Sequence, residues 1–326
     1  MFALRLATLC LFLLSLLPAP AADDFLPGIK RIVFLGDSIT YGGHYVDDFE
    51  LYLFGRYPTR DFEVINVGLP SETVSGLSED GHAEGKFPRP GLHERLARVL
   101  AQTKPNLVFA CYGMNDGIYL PLEDARFAKF RDGIIQLREK VNAADAQIIH
   151  LTPPTFHRLD ARPKAGPDGQ PPRSLLGGYN EVLDRYSAWL LEQRANGWRV
   201  LDIHNPMNAF IEAQRKTNPD FVFAKDGVHA NADGHALIAD QLIAGLAPAD
   251  AGWWKEFKTK VAADPKNAEL RKLIRQRGRM LCDAYLNAAG HLRPGMAKGM
   301  PVTEAEAKAA ELEKQIHAVV AEIARR

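Results

Sequence analysis

From residue 31 onward, short apolar segments alternate with longer amphipathic ones. The apolar segments are rich in Val, Ile, Leu and Phe and nearly continuous, which is typical of strands buried on both faces. Strands that alternate with helices form a parallel sheet covered by helices on both sides. The sequence therefore predicts an α/β fold, a flavodoxin-like three-layer α/β/α sandwich with a five-stranded parallel sheet. The expected strands are 31–35, 62–67, 106–111, 147–151 and 198–203, and the expected helices are 42–54, 92–103, 123–142, 178–196, 206–217 and 233–246.

The composition of the chain excludes several classes of protein. The 326 residues are 46% hydrophobic and 25% charged, close to the average of soluble globular proteins. Forty Lys and Arg residues balance forty Asp and Glu residues. Because phosphate binding needs a surplus of positive charge, we expect no nucleic-acid partner.

The first 22 residues have the pattern of a secretory signal peptide. Arg5 precedes an apolar run of 11 residues, 7–17, which is too short to span a bilayer. Ala19 and Ala21 then supply small residues at a cleavage site. We expect the mature protein to be secreted or periplasmic, with no integral membrane span after cleavage.

Residues 251–326 differ from the preceding part of the chain in charge and pattern. They hold 15 Lys and Arg against 9 Asp and Glu, whereas residues 1–250 hold 25 against 31. Two amphipathic helices are predicted, the second beginning at a capping box of Thr303 and Glu306. We therefore divide the chain into a signal peptide (1–22), a main domain (23–250) and a helical C-terminal extension (251–326). The extension either docks on the acidic main domain or binds an anionic surface.

Two long connections leave the carboxyl ends of predicted strands. They span 69–91 and 153–177 and are rich in Gly, Pro and charged residues. Loops of this length in compact domains are usually functional or disordered. We interpret them as walls of a substrate cleft.

Residues with catalytic potential follow several of the strands. Ser38 lies just beyond the first strand, Gly68 follows the second, and Asn115 follows the third. Asp226 and His229 share a loop after the fifth, where the carboxylate could orient the imidazole as a base for a serine nucleophile. Taken singly, each residue also fits a helix cap or a turn.

In combination, these residues resemble the four sequence blocks of the SGNH hydrolase (GDSL esterase/lipase) family. The matching blocks are Gly36-Asp37-Ser38, Gly68, Gly113-Met114-Asn115-Asp116 and Asp226-Gly227-Val228-His229, and the resemblance covers about residues 30–247.

The resemblance implies a role for each matching residue. Ser38 would be the nucleophile, His229 the general base and acid, and Asp226 its orienting partner. The oxyanion hole would consist of the backbone N–H groups of Ser38 and Gly68 and the side-chain amide of Asn115. Asp37 and Asp116 are expected to be structural acceptors of backbone hydrogen bonds.

The sequence thus predicts a serine esterase that forms an acyl-enzyme on Ser38 and needs no cofactor or metal. The expected substrate is a small ester or an acylated glycan, with an O-acetylated carbohydrate favoured because the cleft loops are polar. The alternatives are a lysophospholipase or short-chain lipase, an acyltransferase using the same triad, and a non-catalytic glycan-binding module.

Overall fold

A computed structural model describes residues 26–157 and 178–326. Its centre is a sheet of five parallel strands in the order β2-β1-β3-β4-β5. This is the strand order of flavodoxin-like folds, so the predicted fold class is confirmed. The strands are β1 (Arg31–Gly36), β2 (Glu63–Asn66), β3 (Leu107–Cys111), β4 (Gln147–Leu151) and β5 (Arg199–Leu201).

Ten α-helices are found in the described part of the chain. Helix α2 packs on α7 over one face of the sheet, while α3, α4 and α5 form the layer on the other face, as right-handed crossovers require. The helices are α1 (Ser38–Gly42), α2 (His44–Arg56), α3 (Leu92–Thr103), α4 (Asp124–Asn142), α5 (Tyr179–Glu192), α6 (His204–Arg215), α7 (Ala232–Leu246), α8 (Ala251–Ala263), α9 (Asn267–Ala289) and α10 (Val302–Arg325).

Aromatic packing joins the sheet to its helices. The Phe34 ring of β1 stacks on Phe109 of β3 with 4.8 Å between centroids, and Phe49 of α2 packs edge-on against both. In the opposite layer, Phe130 of α4 stacks on Tyr186 of α5 at 4.1 Å. These buried contacts hold the carboxyl ends of the strands in a fixed arrangement.

The C-terminal extension differs in detail from its prediction. It contains three helices, α8 to α10, instead of two. The predicted capping box is wrong: α10 begins after Pro301, so Thr303 lies inside the helix. The Glu306 carboxylate accepts a hydrogen bond from the Tyr285 hydroxyl at 2.6 Å instead of reaching back to cap α10. Among the described helices, none is long and apolar enough to cross a membrane.

The basic face of α9 docks on the acidic helix α2. Arg275 donates to Asp47 at 2.7 Å, Arg271 is paired with Asp48, and the buried Arg277 is paired with Glu50. Helix α9 also contacts β2 and α3. Of the two interpretations of the basic extension, the structure agrees with docking on the main domain.

Removal of residues 251–326 should unfold the protein. The deletion takes away the buried side chains Leu270, Ile274, Leu281 and Tyr285 and exposes the surfaces they cover. Each such side chain contributes about 1.5–3 kcal/mol, and a whole domain is stable by only about 5–15 kcal/mol. Circular dichroism of the truncated chain should show no cooperative thermal transition. A transition at the full-length midpoint would contradict a structural role for the extension.

Candidate active site

The position of Ser38 is determined by a tight turn between β1 and α1. Asp37 is the N-cap of α1, and its carboxylate accepts a hydrogen bond from the Ile39 amide at 2.9 Å. Ser38 is therefore the first residue of the helix and not its cap. A Cβ at Gly36 would lie 2.8 Å from the backbone oxygen of Cys111, so a larger residue does not fit at the end of β1. This turn leaves the Ser38 hydroxyl available for other partners.

Ser38, His229 and Asp226 form one hydrogen-bonded chain. Ser38 Oγ lies 2.8 Å from His229 Nε2, and His229 Nδ1 lies 2.6 Å from Asp226 Oδ2. Since a carboxylate only accepts hydrogen bonds, Nδ1 carries the imidazole proton, and Nε2 is left to accept from the serine hydroxyl. The structure thus brings together three residues that the sequence separates by up to 191 positions.

The Asp226 carboxylate is held in its charged form by local hydrogen bonds. Its Oδ1 accepts from the backbone amides of Val228 and His229, each at 2.9 Å. Partial burial raises the pKa of Asp226, but the bonds from the His229 ring and these two amides outweigh it and keep the pKa below its usual value. An ionised Asp226 stabilises the positive charge that His229 acquires when it takes a proton.

Two other acidic residues of the sequence blocks have structural roles, as predicted. Asp37 and Asp116 are fully buried, and burial raises their pKa values to about 7 and about 6 respectively. Asp37 caps α1, and Asp116 Oδ1 accepts from the Ser75 amide at 2.8 Å. Asp116 thereby ties the segment after β3 to the loop after β2.

The structure does not support Gly68 as an oxyanion donor. Its backbone N–H is already donated to the Asn66 side-chain oxygen at 2.9 Å. A Cβ at Gly68 would lie 2.4 Å from the Tyr41 amide nitrogen, so glycine is required here for close packing of β2 against α1. The predicted role of Gly68 as an oxyanion donor is therefore wrong, and the residue instead allows close packing against α1.

A different amide is available in the turn that follows. Leu69 O accepts from Glu72 N at 3.2 Å, and Ser71 has a φ of 68°. With Pro70 before a residue of positive φ, this is a type II turn. Among the described residues, no hydrogen-bond acceptor is found for the Ser71 amide, so its N–H is available to a ligand.

Asn115 lies beside this turn. Its Nδ2 donates to Glu72 O at 3.2 Å, which leaves the second N–H of the amide available. Its Oδ1 accepts from Arg89 Nη1 at 2.9 Å and from the Tyr119 hydroxyl at 3.2 Å. Arg89 also approaches the Ser71 oxygen at 3.5 Å, so Ser71 and Asn115 are neighbours.

The two predicted cleft walls are described to different extents. In the loop 69–91, a parallel bridge joins Thr73 to Gly91, and Glu72 and Arg89 are hydrogen-bonded to the Asn115 side chain. Most of the second loop, residues 158–177, lies outside the described residues. On the side of His229, a recess of about 550 Å³ is lined by Asn218, Asp220, Phe221, Val222, Phe223, Lys225, Asp226 and Asn231.

Sequence reasoning missed Ser71 and Arg89. The Pro70-Ser71 pair is a recognisable turn signal, and a positive φ at its second position would have pointed to an accessible amide. No sequence motif pointed to Arg89, because its partner Glu79 is ten residues away in an irregular loop.

Within the described residues, no group of three or more His, Cys, Asp or Glu side chains is placed to hold a metal ion.

A hydrogen-bonded Ser–His–Asp chain at the carboxyl edge of a doubly wound sheet is the arrangement of a serine hydrolase. Residues 34–237 match the model of the GDSL-like lipase/acylhydrolase family. The match covers more than half of the chain, so the protein belongs to this family.

Comparison with solved structures found, among others, two different enzymes at low sequence identity. The diltiazem-metabolizing enzyme BT4096 of a gut microbe has a TM-score of 0.49 at 23% identity, covering 68% of this chain and 48% of that enzyme. The matched region thus spans about half the length of BT4096. The acetylxylan esterase Axe2 from Geobacillus stearothermophilus has a TM-score of 0.45 at 20% identity, covering 67% of this chain and 94% of that one. The comparison with curated proteins gave no match.

Proposed function

We propose that the protein hydrolyses a carboxylic ester through an acyl-enzyme on Ser38. The observation that carries the proposal is the continuous hydrogen bonding from Ser38 Oγ through His229 to Asp226. Ser38 Oγ attacks the ester carbonyl carbon while its proton passes to His229 Nε2. The carbonyl C–O bond to the alcohol then breaks, and His229 returns the proton to the alcohol oxygen. Water attacks the acyl-enzyme by the same route and releases the acid.

Negative charge develops on the carbonyl oxygen during each attack. We assign its stabilisation to the Ser38 amide, the Ser71 amide and the free N–H of Asn115 Nδ2. The Gly68 N–H is not one of these donors, because it already donates to the Asn66 side-chain oxygen. Donors fixed before the reaction stabilise the oxyanion without reorganising, and loss of one typically costs about 10²–10³-fold in kcat.

The recess beside His229 supports a carbohydrate as the alcohol part of the ester. It combines the half-buried aromatic ring of Phe221 with the polar side chains of Asn218, Asp220 and Lys225. A sugar ring has both an apolar C–H face and hydroxyl groups, which fit aromatic surfaces and polar groups respectively. We therefore propose an O-acetylated carbohydrate as the substrate class.

We also propose that the enzyme acts outside the cytoplasm. The support for this is the signal-peptide pattern of residues 1–22, which lie outside the described residues. Expression of the full chain, followed by N-terminal sequencing of the exported protein, tests this. Cleavage near Ala22 is expected, and an intact N-terminus in the cytoplasm would contradict it.

A substrate panel tests the proposed specificity. The wild-type enzyme should release acetate from acetylated xylan and from p-nitrophenyl acetate, and it should be inactive on a palmitoyl lysophospholipid. Phe221→Ala should raise KM for acetylated xylan several-fold and leave p-nitrophenyl acetate unaffected, because only the larger substrate reaches the recess. Preference for the lysophospholipid would refute the carbohydrate assignment, and acetyl transfer to added glycan would indicate an acyltransferase.

A further inference from the structure

Two arginines contact the groups that carry two of the proposed oxyanion donors. Arg89 belongs to the loop after β2, and its side chain is only 5% exposed. Arg293 belongs to the segment between α9 and α10, which lies outside the region matched by the family model. Neither is part of the Ser–His–Asp chain, yet each contacts a group that carries one of the donors.

Arg89 determines which way the Asn115 amide faces. Its Nε and Nη2 are held by both oxygens of Glu79 at 2.6 Å, and its Nη1 donates to the Asn115 side chain at 2.9 Å. A guanidinium has only donors, so the Asn115 atom it contacts must be the oxygen. Tyr119 also donates to that oxygen, at 3.2 Å. The amide nitrogen must therefore face away from Arg89.

Arg293 holds the peptide group that carries the Ser71 N–H. Its Nε donates to the Pro70 carbonyl oxygen at 2.9 Å. In a planar trans peptide, the C=O of Pro70 and the N–H of Ser71 point in opposite directions. A hydrogen bond that fixes the oxygen on the side of Arg293 therefore fixes the N–H on the opposite side. Arg293 also packs over the Phe87 ring at 5.4 Å, which limits its own movement.

We propose that Arg89 and Arg293 are positioning residues of the oxyanion hole, which orient the donors of Asn115 and Ser71. The proposal rests on the proposed esterase function. A cation bonded to the oxygen of an amide also draws electron density from its nitrogen, so the N–H becomes a stronger donor to a developing oxyanion. The C-terminal extension thus contributes one side chain to the arrangement of the active site.

Arg89→Met and Arg293→Met test the proposal with p-nitrophenyl acetate. Each variant should lower kcat by about 10-fold or more, approaching the 10²–10³-fold that loss of one donor costs, with KM nearly unchanged. Arg271→Met is the matched control, because Arg271 joins the extension to α2 through Asp48 and contacts neither donor. It should keep the wild-type kcat. A kcat within twofold of wild type in both arginine variants would overturn the proposal.

A thionoester analogue separates positioning from a general loss of structure. Sulfur in place of the carbonyl oxygen is a weak acceptor, so its turnover depends less on the donors. The arginine variants should therefore lose much less kcat on the thionoester than on the ester. Equal losses on both substrates would indicate a structural defect instead. Arg293 lies nearer the surface than Arg89, so its variant remains informative if Arg89→Met fails to fold.

The controls also separate this proposal from the esterase proposal itself. Wild-type enzyme without ester turnover, or a fully active Ser38→Ala variant, would refute the proposed function. Active wild type, inactive Ser38→Ala and unaffected arginine variants would refute only the positioning role.

Discussion

Replacing Ser38 with alanine should reduce kcat for p-nitrophenyl acetate by about 10⁴- to 10⁶-fold. The variant removes the atom that attacks the ester and leaves the His229–Asp226 pair intact. Ser38 is only half-buried, and the substitution removes a single hydroxyl whose partner is His229 Nε2. The thermal midpoint should therefore stay close to that of wild type.

Combining substitutions tests whether the residues act as a unit. His229→Ala alone should cost a similar factor, and the double variant Ser38→Ala/His229→Ala should be no slower than either single one, because each step needs both groups. Ser187→Ala in α5 is the control for removal of a buried hydroxyl and should keep full activity. Additive losses in the double variant would indicate independent roles and contradict a nucleophile–base pair.

Among single substitutions, the largest expected effect on stability comes from a buried ion pair beside the active site. Arg95 of α3 and Glu72 are 1% and 0% exposed. Arg95 donates to both Glu72 oxygens at 2.6 and 2.8 Å and to the Val67 carbonyl at 2.8 Å, and the Tyr112 hydroxyl donates to Glu72 at 2.7 Å. Arg95→Met leaves the Glu72 charge buried without its cation. The free energy of unfolding should fall by about 3–5 kcal/mol.

Chemical denaturation of the variant measures this loss directly. Lys308→Met removes an exposed pair with Glu304 on α10 and should change the free energy of unfolding by less than about 0.5 kcal/mol. Adding Glu72→Leu to Arg95→Met should recover part of the loss, because it removes the uncompensated charge. A single Arg95→Met variant as stable as the Lys308→Met control would show that Glu72 has found another partner.

The parts of the structure predicted from the sequence are those set by local pattern. The predicted strands 31–35 and 147–151 match β1 and β4 to within one residue. Short continuous apolar segments flanked by polar ones are typical of buried strands, so their bounds can be predicted from the sequence. The fifth strand was predicted as 198–203 but pairs only over Arg199–Leu201, since the length of an edge strand depends on its neighbour β4. The pattern of residues within one segment does not indicate how many of them pair with a neighbouring strand.

The parts of the candidate site that were missed depend on contacts between distant segments. Gly68 follows β2 and fits an amide donor in sequence, but Asn66 takes its N–H. The Asn66 side chain, which accepts from the amide two residues further along the chain, decides which nearby N–H stays available, and composition does not reveal this contact. In the same way, Arg293 reaches Pro70 across 223 positions, and no spacing rule connects them.

The position of α9 against β2 has a consequence for solubility. In the strand order, β2 is an outer strand of the sheet, and its free side would present unpaired backbone N–H and C=O groups. Such a side is a template for strand addition from another molecule, and here α9 lies against it. The helix thus blocks the addition of a strand from another molecule to β2. A proteolytic cut that released α9 would create a self-association surface as well as a loss of stability.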